Sequence, residues 1–230
     1  MWLTVHKSAL KGMRNDAEDS VLLQLREVIA PEVKVTLLAD RGFADQKLYA
    51  LLTQLGFLYV VRFRQRIIVT SAQGERRMAA QWVPKSGHLR KLKGARVTAD
   101  EVEVAAVVCV KKKGMKEPWC LATSLGESFG AEVVALYAGR FTIEERFRDV
   151  KDLRFGMGLS SFRIAATDRL LLLSALACAL LTLLGAAGES LGMERYLKAN
   201  TSKKRTYSLF RQGCMYYQAL PSAPYRSSLD

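Results

Sequence analysis

Histidine is nearly absent from this chain: His6 and His88 are the only two in 230 residues. Its four cysteines, Cys109, Cys120, Cys178 and Cys214, show no CxxC spacing. Together these scarcities argue against a structural zinc site and against a disulfide framework in a chain of this size. The first twenty residues hold no apolar run that could act as a signal peptide, so a reducing, cytoplasmic setting is expected. There is no internal repeat and no low-complexity segment. Acid is also scarce, with 22 Asp+Glu against 35 Lys+Arg and a formal charge of +13.

What is present is globular in character. Half the residues are hydrophobic and a quarter charged, and the length suits one or two domains with a real core. The positive charge is concentrated: residues 60–96 carry ten Lys/Arg and one acid, Glu75. Residues 198–211 add five cations and no acid. Concentration of this kind points to a polyanionic partner, nucleic acid first. Leu170 to Ala187 is eighteen residues without a charge, at the short edge of a membrane span and diluted by Ser174, Thr182 and Gly185. Length and polar content favour a buried helix of a soluble core.

Trp2 to His6 reads as a short strand. Asp16 to Ser20 has helix-start chemistry, Val21–Ile29 is apolar at helical spacing, and Pro31 lies beyond its end. Val33–Ala39, rich in β-branched residues, is a strand ending at Asp40. Arg41-Gly42 turns the chain, Ala44–Leu55 is helical with Gly56 placed to end it, and Phe57–Phe63 is a strand again. Strand, helix and strand in this order predict a βαβ unit with a parallel strand pair. Ile67–Thr70, Val102–Val110 and Trp119–Thr123 then read as an antiparallel β insertion bearing most of the positive charge. From Ala131 to about Leu191 the pattern is largely helical, followed by a basic tail.

Two features could carry chemistry. Asp40 ends an apolar strand, where ligands and reacting groups collect in α/β sheets; a capping or turn-forming role is the alternative. The second is Tyr137-x2-Arg140-x3-Glu144-x6-Lys151. At about 100° per residue these four fall within an arc of roughly 60°, so one helix would present a phenol, a guanidinium, a carboxylate and an amine along one stripe. The alternative is a solvated face laced with i,i+4 ion pairs.

Ala39-Asp40-Arg41-Gly42-Phe43 together with Tyr137, Arg140, Glu144 and Lys151 resembles the insertion-sequence transposases of the DDE class, in the insertion sequence 4 group marked by a YREK signature. Ile143-Glu144-x-x-Phe147-x-x-x-Lys151 is similar to that signature helix, and Trp119–Ser124 to the strand before it. The resemblance reaches about Leu220. It implies an α/β, ribonuclease H-like mixed sheet with helices, interrupted by an antiparallel β insertion. It also implies acidic residues holding magnesium, with manganese as a substitute, for in-line attack on a phosphodiester. Carried over, Asp40 and Glu144 are the second and third acids and the metal ligands. Tyr137, Arg140 and Lys151 would bind DNA phosphates, as would Arg41 and Arg62, where relatives also place basic residues. Trp119 would stack on a flipped base, with a core role as its alternative. The implied partners are double-stranded DNA and insertion-sequence terminal repeats, with a homodimer when full length and no membrane. The implied setting is the prokaryotic cytoplasm, at the nucleoid.

One departure stands out. The family's first acid should be an Asp on an opening strand upstream, yet the only aspartates before Asp40 are Asp16 and Asp19, in a run that suits a helix start. His6 is not a hard-oxygen ligand. The first strands are therefore expected to be missing, leaving a truncated chain with little activity alone. The expected divisions are residues 1–63 for a partial core, 64–125 for the insertion, 126–220 for the rest of the core and its helices, and 221–230 for a loose tail. A catalytically inactive DNA-binding remnant is the alternative function, and a single-span membrane protein using Leu170–Ala187 a third.

Overall fold

The computed structural model describes residues 14–44, 46–144, 167–199, 201–202 and 205–219. The strand expected at Trp2–His6, the residue Lys151 and the tail from 221 lie outside them. The described residues fall into two compact units, residues 14–141 and residues 142–219.

The first unit opens with α1 (Arg14–Val28), whose Asp16 sits in the first turn, where a negative charge offsets the exposed N–H groups. Strand β1 (Thr36–Ala39) follows and starts three residues later than the β-branched run proposes. The reason is the turn after Pro31: the N–H of Val33 donates to the Ala30 carbonyl at 3.0 Å, and Val33 stays exposed. Helix α2 (Gln46–Gln54) buries Leu48, Tyr49 and Leu52, and Gly56 leaves it with φ of 69°, a conformation only glycine adopts cheaply. Strand β2 (Leu58–Arg62) then pairs parallel to β1, Thr36 opposite Leu58 through Ala39 opposite Val61. The βαβ unit is present as expected.

Strands β3 (Ile68–Thr70) and β4 (Arg76–Met78), the short helix α3 (Ala79–Trp82), and strands β5 (Leu89–Val97), β6 (Val102–Val110) and β7 (Trp119–Thr123) follow. Among the described residues the seven strands form one sheet in the order β1-β2-β7-β6-β5-β3-β4, antiparallel except for β1 and β2. The sequence pattern misses β4 and β5 because both are rich in cations. Residue by residue β5 has weak strand character; its eight paired positions against β6, from Leu89–Val110 to Val97–Val102, specify it instead.

Alternation along the central strands sorts side chains into two cores. Tyr59, Val61, Cys109, Cys120 and Ala122 face one side, where Leu22 of α1 and Leu48 and Leu52 of α2 cover them. Val60, Val108, Val110 and Leu121 face the other, under Val133, Val134 and Tyr137 of helix α4 (Gly130–Ala138). Each fully buried valine contributes about 1.5–3 kcal/mol, which locks the register that carries Asp40 and Arg62 to the strand ends.

In the second unit, helix α5 (Thr167–Ser190) is followed by a short 3-10 turn (Met193–Leu197) and by α6 (Leu209–Ala219). The expectation that Leu170–Ala187 is a buried core helix is not met. Leu172, Leu173, Leu176, Leu180 and Leu183 are exposed, and 17% of the stretch Leu172–Ser190 is buried. Helix α6 covers one side of α5 only. By length and composition α5 is long and apolar enough to cross a membrane, the one such helix among the described residues.

Candidate active site

Asp40 is the residue immediately after β1, so the parallel pair sets it at the carboxyl end of the sheet. The turn that follows is closed by the N–H of Phe43 donating to the Asp40 carbonyl at 2.8 Å. Four groups hold its carboxylate. Oδ1 accepts the Arg41 N–H at 2.8 Å and the Tyr137 hydroxyl at 3.1 Å, and lies 3.7 Å from Nη1 of Arg62. Oδ2 lies 3.7 Å from Nη2 of Arg140. Burial alone would push this carboxyl above its ordinary value. The Arg41 N–H, the Tyr137 hydroxyl and the charges of Arg140 and Arg62 outweigh burial and hold the carboxyl below its ordinary value. Asp40 is thus ionised throughout the neutral range.

Tyr137 is fully buried in α4, and burial, followed by the neighbouring Asp40 charge, pushes its phenol above the usual range. It remains a protonated donor to Asp40. The hydroxyl expected to meet a DNA phosphate donates instead to Asp40 in this structure. Trp119, at the start of β7, meets Tyr137 edge-on with centroids 5.0 Å apart and lies 6.0 Å from Phe141. It is half-buried against the second core, so one face belongs to packing. Arg140 lies 4.7 Å over the Phe141 ring.

The single continuous helix expected to carry Tyr137, Arg140, Glu144 and Lys151 is broken. Helix α4 ends at Ala138, Gly139 and Arg140 form a turn with the Arg140 N–H donating to the Tyr137 carbonyl at 3.1 Å, and helical residues resume at 141–144. The turn at Gly139 and Arg140 carries Arg140 back toward Asp40 and over Phe141. The structure brings Asp40, Arg41, Arg62, Trp119, Tyr137 and Arg140 together in the first unit. Glu144 is exposed at the end of the 141–144 stretch and belongs to the second unit.

Sequence reasoning missed Glu117. Nη2 of Arg62 donates to its Oε1 at 2.7 Å, and Nη1 of Arg41 donates to Oε1 at 3.3 Å and Oε2 at 3.1 Å. The hydrogen bond from Arg62, with the charges of Arg62 and Arg41, keeps the Glu117 carboxyl below its ordinary value. Burial works against the Arg62 charge, yet the Glu117 bond and the surrounding anions prevail and strengthen its proton affinity. A signal existed: Glu117 is the only acid between Glu103 and Glu127, set in a turn with Lys111, Lys112, Lys113 and Lys116. Nothing in periodicity, however, ties it to Arg62, fifty-five residues earlier.

Asp40 supplies an ionised hard-oxygen donor, the kind a divalent cation takes. No group of three or more candidate metal-ligating side chains occurs among the described residues. Asp40 therefore fits such an ion as one ligand, not as part of a complete cage within the first unit.

An acid at the carboxyl end of a parallel strand, flanked by guanidiniums and set on a mixed sheet, defines an α/β protein with its candidate site where such sheets gather ligands. The model of one family, the transposase DDE domain, matches residues 6–181, about three quarters of the chain. The chain belongs to that family, and its mixed sheet is the ribonuclease H-like arrangement expected of it. No curated protein sequence matches it.

Proposed function

We propose that this transposase cleaves and joins DNA at the ends of an insertion sequence of the YREK-marked group. DDE transposases act on DNA with a divalent metal; magnesium is the ion proposed here, with manganese able to replace it. Asp40 and Glu144 would hold it, and when bound it supplies an activated nucleophilic oxygen and charge stabilisation at the phosphodiester. The chain's own residues do the rest. Tyr137 and the Arg41 N–H keep Asp40 ionised and aimed, Arg62 and Arg140 present positive charge to a phosphate beside it, and Lys151 adds another cation. Trp119 offers the free part of its ring for base stacking, worth about 1–3 kcal/mol.

The observation that carries this reading is the Asp40 corner: a carboxylate kept ionised by a buried tyrosine and flanking arginines, within the family-matched segment. Double-stranded DNA carrying terminal repeats is the proposed substrate, bound by a homodimer, in the prokaryotic cytoplasm at the nucleoid. The test is strand cleavage of terminal-repeat DNA in magnesium. Asp40→Asn and Glu144→Gln are each expected to lower the rate at least a hundredfold; cleavage undiminished in both would overturn the assignment.

A second reading is a DNA-binding protein without cleavage. The guanidiniums on both Asp40 oxygens, and the lack of a three-acid group among the described residues, favour it. Salt-sensitive DNA binding with no metal-dependent nicking would distinguish it.

A further inference from the structure

Arg62 is the most enclosed cation of the Asp40 corner, its side chain only 9% exposed. A guanidinium so far from water needs an anionic partner, since breaking such a pair costs several kcal/mol. Asp40 is not the near one: its Oδ1 is 3.7 Å away, whereas Oε1 of Glu117 is at 2.7 Å. Arg41 approaches the same carboxylate from the solvent side through both oxygens. Two guanidiniums thus converge on a planar anion, the geometry with which arginines also take two oxygens of a phosphate.

The surroundings fit a visitor better than a permanent occupant. Glu117 lies on the irregular segment between β6 and β7, outside both cores, with its side chain 40% exposed. Moving it disturbs no packed layer. The pair opens into a cavity of about 220 Å³ whose other charged lining is Arg41, Arg62, Arg64 and Arg66. Among the described residues Glu117 is the one acid lining that cavity. Its segment carries Lys111, Lys112, Lys113 and Lys116, so a polyanion is drawn to the very turn that must give way.

We propose that Glu117 stands in for a DNA phosphate, closing the Arg41–Arg62 cradle in the free protein and yielding to a phosphodiester when DNA binds. The proposal rests on reading the Asp40 corner as the DNA-processing site. It assigns Glu117 two effects. In the free protein it compensates Arg62 and keeps that guanidinium from collapsing onto Asp40. On binding, one charge-assisted pair is exchanged for another of the same kind, so the arginines never pass through an unpaired state. The consequence is reduced intrinsic affinity, because a resident carboxylate competes with the phosphate.

The test is a double-mutant cycle on binding of a short terminal-repeat duplex, in chelator so that no cleavage intervenes. Glu117→Gln keeps the side-chain shape and removes the charge; it is expected to tighten binding roughly tenfold, the scale of a hydrogen bond between charged groups. In an Arg41→Gln background the gain should shrink to about twofold or less, because half the cradle is gone. Unchanged or weaker binding by Glu117→Gln overturns the proposal. So does an equal gain in both backgrounds, which would mark a diffuse charge effect. Glu117 and Arg41 are both well exposed, and thermal unfolding checks that the variants fold. Should Glu117→Gln not fold, Glu117→Asp, which keeps the charge but shortens the reach, should still tighten binding about threefold, and an unaltered constant overturns the claim. Cleavage in magnesium without coupling between the two sites removes this inference alone. Coupling without cleavage removes only the proposed catalytic activity.

Discussion

At the scale of single residues, Asp40 gathers the consequences of everything around it. Its carboxyl is depressed, so its interactions stabilise the fold fully above the unfolded value, near pH 4, and are lost as pH falls through the lower folded value. Asp40→Asn should remove that component of acid sensitivity, which thermal unfolding between about pH 2 and 6 would read; an identical pH profile would count against the assignment. Tyr137→Phe deletes one donor to the carboxylate and should cost about 1 kcal/mol. It should also raise the Asp40 titration midpoint, measurable by carbon NMR of the carboxyl. A drop in stability with no change in that midpoint would mean the ring's packing against Trp119, not its hydroxyl, is what matters. Asp40 was legible because a strand followed by Arg-Gly announces its own end. The role of Tyr137 was not, because its hydroxyl bonds an acid ninety-seven residues away.

Elements show a sharper division. Strands with β-branched alternation, β2, β6 and β7, were placed within a residue or so by sequence pattern, since burial on two faces demands that composition. The basic strands β4 and β5 exist through their partners and were invisible. The YREK stripe fared differently again: spacing treated it as one helix, whereas Gly139 and Arg140 interrupt it. Helices α5 and α6 cross on glycine. A Cβ on Gly213 would run into the Leu181 carbonyl oxygen, and one on Gly185 into that of Leu209. Gly213→Ala is therefore expected to destabilise the second unit by about 1–3 kcal/mol, the clash outweighing the roughly 1 kcal/mol gained by helix propensity. A melting temperature equal to or above the parent's would show that the crossing relaxes freely.

For the molecule as a whole, charge decides behaviour. A surplus of thirteen positive charges, concentrated in residues 60–96 and 198–211 with a further lysine cluster in the β6–β7 turn, predicts DNA binding that weakens steeply with salt, with a log–log slope near −0.9 for each phosphate contacted. Replacing Lys111, Lys112 and Lys113 by alanine should flatten that slope by roughly two to three; these side chains are exposed, so the fold is unaffected. An unaltered slope would place the DNA elsewhere. The apolar face of α5 bears on handling of the protein. Extraction into the soluble fraction without detergent is expected, and release only by detergent would identify α5 as a membrane span.

Sequence alone determined the βαβ unit, the place of Asp40 and the family, because period, turn chemistry and motif spacing are local and each residue reports its own neighbours. Tertiary structure alone decided which cations face which acids. Arg62 reads in sequence as one more arginine in a basic run; only the pairing of β2 with β7 buries it. Glu117 reads as one acid in a lysine-rich turn, and only the same pairing delivers its carboxylate to that guanidinium. Desolvation and Coulomb attraction depend on distance through space, which chain order does not encode.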